Sequence, residues 1–210
     1  MGELIMSGKR SLIYGVGIND WEDNCSFINN EGKKELTKEY KLWRAMLTRC
    51  YSDYTKSVRP TYIGVTCDDS WLSMTKFIED VSTLKGYTKS FTDKWVLDKD
   101  ILIKGNNKYS LDTCCFVPAE INGTLTIRKL HRGDLPLGVT IDIHTKKFKA
   151  RCGYDGKRLS LGLFDTPEEA FNAYVKTKKK ELFRLVTKYK GEIEDKVYFA
   201  LINYDFTLED

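Results

Sequence analysis

Lys147, Lys149 and Arg151 fall at every second position of one short segment, and Arg158 and Ser160 do so in the next. A period of two is the strand period, so each set emerges on one face of a sheet. His144, in phase with Thr140 and Asp142, extends that face. Cations and hydroxyls so arrayed can hold phosphate oxygens and hydrogen-bond base edges, which suits a polyanionic partner. The alternative is a merely solvated face. One-sided antiparallel sheets are common, but their wet faces usually mix both signs of charge. A second group lies earlier in the chain. Asp98 and Asp100 flank Lys99 on an apolar stretch that begins at Trp95. Carboxylates two apart on a strand share a face and can bind a metal ion or accept a proton, or they are simply a polar strand edge.

The elements that must position these residues are readable. Val139, Ile141 and Ile143, then Phe148, Ala150 and Cys152, then Leu159, Leu161 and Leu163 give three strands, each with one apolar face. Asp155-Gly156 between the second and third is a two-residue hairpin signal. Thr166-Pro167-Glu168-Glu169 is a capping box with proline at the first helical position. Phe171, Tyr174, Val175, Leu182, Leu185 and Val186 recur at helical spacing behind it. The apolar sides of sheet and helix match.

Upstream, Tyr40, Trp43, Leu47 and Cys50 predict a helix with a buried stripe, flanked by Arg44 and Arg49. Ser70 is expected to cap a second helix carrying Trp71, Met74, Phe77, Val81 and Leu84. Tyr14-Gly-Val-Gly17 is a turn and not a phosphate loop, since it lacks GK[ST]. Asn29-Asn30-Glu31-Gly32 is a hairpin tip or loop. From Trp95 to Leu125 the order is strand, the polar loop Gly105-Asn106-Asn107-Lys108, strand, and a helix begun by Pro118. Ile193, Val197, Leu201 and Tyr204 predict a last helix. The expected organisation is an N-terminal unit over 1–125 containing a ββα finger (95–125), a basic linker over 126–136, a sheet-and-helix domain over 137–190, and a helix and tail over 191–210. The fold class is α+β.

Two resemblances attach to these segments. Leu-Gly-Val139, Lys147 to Cys152 and Leu161-Gly-Leu-Phe-Asp-Thr-Pro-Glu-Glu-Ala-Phe-Asn-Ala-Tyr174 resemble the Apetala-type (ethylene-response-factor) DNA-binding domain. That resemblance implies a three-stranded sheet laid in the major groove, with Lys147, Lys149, Arg151 and Arg158 facing DNA. Residues 95–125, with the preceding Leu42-Trp-Arg-Ala-Met-Leu-Thr-Arg-Cys50, resemble His-Asn-His (HNH) homing endonucleases of bacteriophages that carry such a C-terminal domain. This implies one divalent ion, magnesium or manganese, on Asp98 and Asn122, with Asn107 as the central asparagine. The general-base position falls on Lys99 in place of histidine. An amine ordinarily protonated at neutral pH is a poor base, so cutting and non-cutting forms both stay open. Arg132 in the linker is expected to follow the phosphate backbone.

The whole composition sets bounds. Across 210 residues the formal charge is only +4, but Arg128 to Lys190 hold 16 Lys/Arg against 7 Asp/Glu. No leader peptide is expected, and no apolar run approaches the ~18 residues of a membrane span. The six cysteines form no CxxC pair, which predicts reduced thiols and a cytoplasmic setting. A zinc site on Cys50, Cys67 and Cys114 lacks diagnostic spacing, and zinc is not expected. The function expected is sequence-selective binding of double-stranded DNA, with or without metal-dependent nicking. The alternatives are a DNA-binding regulator or inhibitor of host machinery that does not cut, and a module docking an acidic protein.

Overall fold

An apolar stripe on a helix needs a covering surface, and the stripe on α1 (Lys38–Tyr51) has one: Trp43, Met46, Leu47 and Cys50 are all buried. Thr37 caps the helix by accepting from Tyr40 N–H. Trp43 Nε1 donates to the Trp71 carbonyl at 2.9 Å, so a helix and a distant turn are joined by a bond made inside the core. The computed structural model describes residues 12–126 and 135–208. It divides into two compact units, Met1–Phe116 and Val117–Asp210. The fold is α+β.

In the first unit, β1 (Ser26–Ile28) and β2 (Lys34–Leu36) form an antiparallel hairpin ahead of α1. Its tip is the expected Asn-rich turn, in which Asn29 Oδ1 accepts from Glu31 and Lys33 N–H. After α1 come α2 (Asp53–Val58), β3 (Thr66–Cys67), α3 (Met74–Ser82), α4 (Lys89–Thr92), β4 (Trp95–Asp98) and β5 (Lys108–Tyr109). β3 pairs with β5 in parallel. β4 pairs with β6 (Cys115–Pro118), the strand within which the first unit ends. Gly17 closes the turn at Tyr14 with bonds to Ile13 in both directions, and a Cβ there would lie 2.3 Å from Leu47. The turn is the one expected from sequence; that Gly17 also leaves room for Leu47 and Trp43 is seen only in the fold. The second helix departs from expectation. Ser73, not Ser70, caps α3, while Asp68 caps a separate short turn over Asp69–Leu72. The reason is remote in sequence: Asp20 accepts from Ser73 Oγ at 2.6 Å and from Thr75 N–H at 2.9 Å, which fixes the start of α3 there.

The second unit holds α5 (Ala119–Leu125), the antiparallel sheet β7 (Val139–Ile141), β8 (Phe148–Tyr154) and β9 (Lys157–Phe164), then α6 (Pro167–Lys188) and α7 (Asp195–Ile202). Pro118 starts α5 without a side-chain cap. The hairpin turn has Asp155 and Gly156 both at positive φ, 47° and 73°, the arrangement of a type I′ turn. The capping box at Thr166 and Glu169 is complete. The first half of α6 covers the sheet, with Ala170, Phe171 and Tyr174 packed on Val139, Ala150 and Cys152. Its second half packs on α5 and α7, burying Leu182, Leu185 and Val186. Arg184 forms a two-pronged pair with Glu181, at 2.8 Å twice, and reaches Asp155 at 3.3 Å, tying helix to hairpin tip.

Two details of the sheet correct the alternation read from sequence. β7 ends at Ile141, so Ile143 (73% exposed) and His144 stand in the following turn and not on the strand. In β9 the register shifts opposite Ala150/Arg151, leaving Leu161 as an extra residue. Leu161 and Phe164 pack on the core, and Leu163 turns to the open face opposite Lys149. Strict period two fails because a bulge inserts one residue.

Because α6 is shared between the sheet and its helical neighbours, the sheet-and-helix segment alone would leave part of α6 uncovered. A fragment spanning 117–210 should show dispersed amide signals and one cooperative urea transition. A fragment spanning 137–190 should lose about 1.5–3 kcal/mol for each newly exposed leucine or valine. Equal unfolding midpoints for the two would show that α5 and α7 add nothing to this core.

Candidate functional site

The open face of the C-terminal sheet follows from its register. Residues paired across antiparallel strands project to the same side. Val139, Ala150 and Gly162 are paired in a row, and Val139 and Ala150 lie in the core. Thr140, Lys149 and Leu163 therefore form an outward row. Arg151 pairs with Ser160, and Gly153 with Arg158, so these two rows also face outward. Arg151 and Arg158 are diagonal neighbours, with Ser160 beside the first and a glycine beside the second.

The charges on this face divide into two groups. Lys147 is bound to Asp165 at 2.9 Å, and Lys149 lies 4.0 Å from Asp142. Asp142 is itself engaged: its Oδ1 accepts from Thr145 N–H, Thr145 Oγ1 and His144 N–H, and these bonds hold its carboxyl below the ordinary range. The guanidinium groups of Arg151 and Arg158, by contrast, make no hydrogen bond or ion pair among the described residues, although the Arg151 backbone N–H donates to the Gly138 carbonyl. The sheet thus presents two uncompensated guanidinium groups and two lysines already half-neutralised. His144 contributes its backbone N–H to the Asp142 turn and is exposed. Arg132, with Arg128, Lys129 and His131, lies outside the described residues.

The acidic group occupies the end of β4. The strand stops at Asp98, so Asp100 stands beyond it and not on the same strand face. Asp98 Oδ1 accepts from Asp100 N–H at 2.7 Å and Ile101 N–H at 3.0 Å, closing the turn that follows. Burial pushes the Asp98 carboxyl up, the two backbone donors offset this only in part, and the Asp100 charge adds to the rise. Lys99 is 6% exposed. Its Nζ donates to Asp100 Oδ1 at 2.6 Å and to the Asn106 carbonyl. Asn106 in turn donates to the Lys99 and Lys108 carbonyls, so Lys99 and Asn106 lace the polar loop to the strand. Asn107 is exposed, and its carbonyl accepts from Thr66 N–H. Asp98, Lys99, Asp100 and Asn107 all belong to the first unit. Asn122, on α5, belongs to the second.

Three neighbours of Asp98 and Lys99 carried no sequence signal that singled them out. Arg49 comes from the last turn of α1, donates to the Tyr109 hydroxyl at 3.3 Å and acts electrostatically on Asp98. The Lys99 ammonium lies 6.0 Å from the centre of the Tyr109 ring. Asn106, and not Asn107, makes the side-chain bonds of the loop. A cation at the end of a buried helical stripe is a weak signal, and only the fold brings it to Asp98.

Among the described residues no three His, Cys, Asp or Glu side chains gather as a metal cage. Asp98 Oδ2 makes no hydrogen bond among them, and so keeps one acceptor for a cation. No helix among the described residues is long and apolar enough to cross a membrane. No family model, no curated protein and no solved structure matches the chain.

The raised Asp98 carboxyl gives a measurable sign. A carboxylate whose folded pKa lies above its unfolded one destabilises the fold once charged. That penalty is full above the folded pKa and vanishes as pH falls below the unfolded one. Asp98→Asn keeps an acceptor for both backbone donors and removes the charge. It should raise the urea midpoint at pH 7, and the gap to wild type should close on acidification. A gap independent of pH would mean that the buried charge is not its source.

Proposed function

We propose that the chain binds double-stranded DNA with the open face of β7-β8-β9, in sequence-selective fashion, as part of a phage protein built like an HNH homing endonuclease and working in the cytoplasm of its host. The observation that carries the reading is the diagonal pair Arg151 and Arg158, unpaired among the described residues and set on a sheet face beside Ser160. Guanidinium groups with free forks suit the O6/N7 edge of guanine in the major groove. Lys147 and Lys149, at the other end of the face, suit phosphates. The local likeness to Apetala-type domains over residues 137–188 points to the same surface.

Cleavage is a separate part of the proposal. The HNH likeness would put a magnesium or manganese ion on Asp98, where it would supply a water of lowered pKa and charge neutralisation at one phosphate. A second reading, binding without cutting, is favoured by Lys99. Its ammonium is committed to Asp100 and the Asn106 carbonyl, which makes it a structural tie where the family places its base. Metal-dependent nicking of supercoiled DNA that Asp98→Ala abolishes, with affinity retained, would support the enzyme. Binding with no nicking in magnesium or manganese would leave the regulator.

Arg151→Ala and Arg158→Ala should each cost about 1–3 kcal/mol at a preferred site and relax sequence preference there. Lys147→Ala should weaken all duplexes alike and reduce the salt slope by about one unit. Because Asp165 competes for Lys147, Asp165→Asn should tighten binding to every duplex. Fluorescence anisotropy over a salt series checks all four. Unchanged affinity of the Arg151→Ala/Arg158→Ala double variant would remove the sheet from the interface.

A further inference from the structure

Leu163 stands where alternation would not put it. Without the bulge at Leu161, Leu159, Leu161 and Leu163 would share the core face. With it, Leu161 and Phe164 take the core positions, and Leu163 projects outward, 43% exposed, directly opposite Lys149. The bulge is supported by Gly162, whose φ of +126° suits glycine and strains other residues. A large apolar side chain is thus held among Lys147, Lys149, Arg151 and Ser160 by a specific backbone device. Beside a polyanion it would be poorly solvated unless it met an apolar group. In the major groove the bases offer one: the C5-methyl of a pyrimidine, carried by thymine in ordinary DNA and by 5-methylcytosine in modified DNA.

We infer that Leu163 reads the C5-methyl group of a pyrimidine, in the first place thymine, within the site contacted by Arg151 and Arg158. This rests on the DNA-binding reading above and adds to it a base preference that arginines alone would not impose. The contact is worth roughly one buried methyl, or about fourfold in affinity.

The test uses the full chain and a random-sequence duplex pool. Duplexes enriched by binding are resynthesised with uracil for thymine, which deletes only the methyl, and with 5-methylcytosine for cytosine. Wild type should lose about fourfold on at least one thymine-to-uracil exchange, while Leu163→Ala should bind both duplexes equally. A gain from 5-methylcytosine at a single position, lost in Leu163→Ala, would assign the same contact to modified DNA. Equal affinity of wild type for methylated and unmethylated versions of every position, or a methyl effect that survives in Leu163→Ala, overturns the inference while leaving DNA binding intact. Failure of wild type to enrich any duplex overturns both readings. Leu163 is exposed, so its truncation spares the core, and the wild-type exchange does not depend on any variant folding.

Discussion

An α-helix with its side chains is about 10–12 Å across, and three strands spaced by about 4.8 Å present a face of similar width. One helix can therefore cover one side of such a sheet and no more. In this chain α6 does so with Ala170, Phe171 and Tyr174, and everything on the opposite side is left to solvent or to a partner. The coverage leaves little slack. Gly138, at φ +78°, lies so close to Tyr174 that a Cβ would come within 2.1 Å of its ring. The outward positions of Arg151, Arg158 and Ser160 are thus consequences of an inward fit several residues long. A slip of one residue would exchange the two faces entirely.

Where a signal was local, the chain could be read directly. The type I′ turn at Asp155-Gly156, the capping box at Thr166 and the α1 stripe each need only a few neighbouring residues, and each is present. Where position depended on a distant partner, reading failed. Ser70 and Ser73 are equivalent caps by sequence, and Asp20 decides between them from 53 residues away. The bulge at Leu161 is a property of two strands paired together, so period two within β9 could not reveal it. The candidate site divides the same way. That Arg151 faces outward was legible from its own strand. That Lys147 is partly neutralised by Asp165, and that Arg49 acts on Asp98, requires the fold.

The two units treat charge differently. On the sheet, the Lys147–Asp165 pair is exposed and worth little, and salt screens it. Its value is geometric, since it sets which cations are free. At the end of β4 the groups are shielded. There Lys99 is held by a carboxylate and a carbonyl, and Asp98 by two backbone N–H groups, so polar bonds help the buried Ile101 to shape the loop from Lys99 to Lys108. Buried polar networks of this kind are costly when incomplete and rigid when satisfied.

The bulge in β9 has a consequence beyond the face it rearranges. β9 is an outer strand of its sheet, and its free edge carries backbone donors and acceptors that could recruit a fourth strand from another molecule. An inserted residue breaks the even spacing of those groups and steepens the local twist. A flat strand arriving along that edge would find its ladder out of step near Leu161 and Gly162. The same irregularity that turns Leu163 outward thus guards the sheet against edge-to-edge self-association.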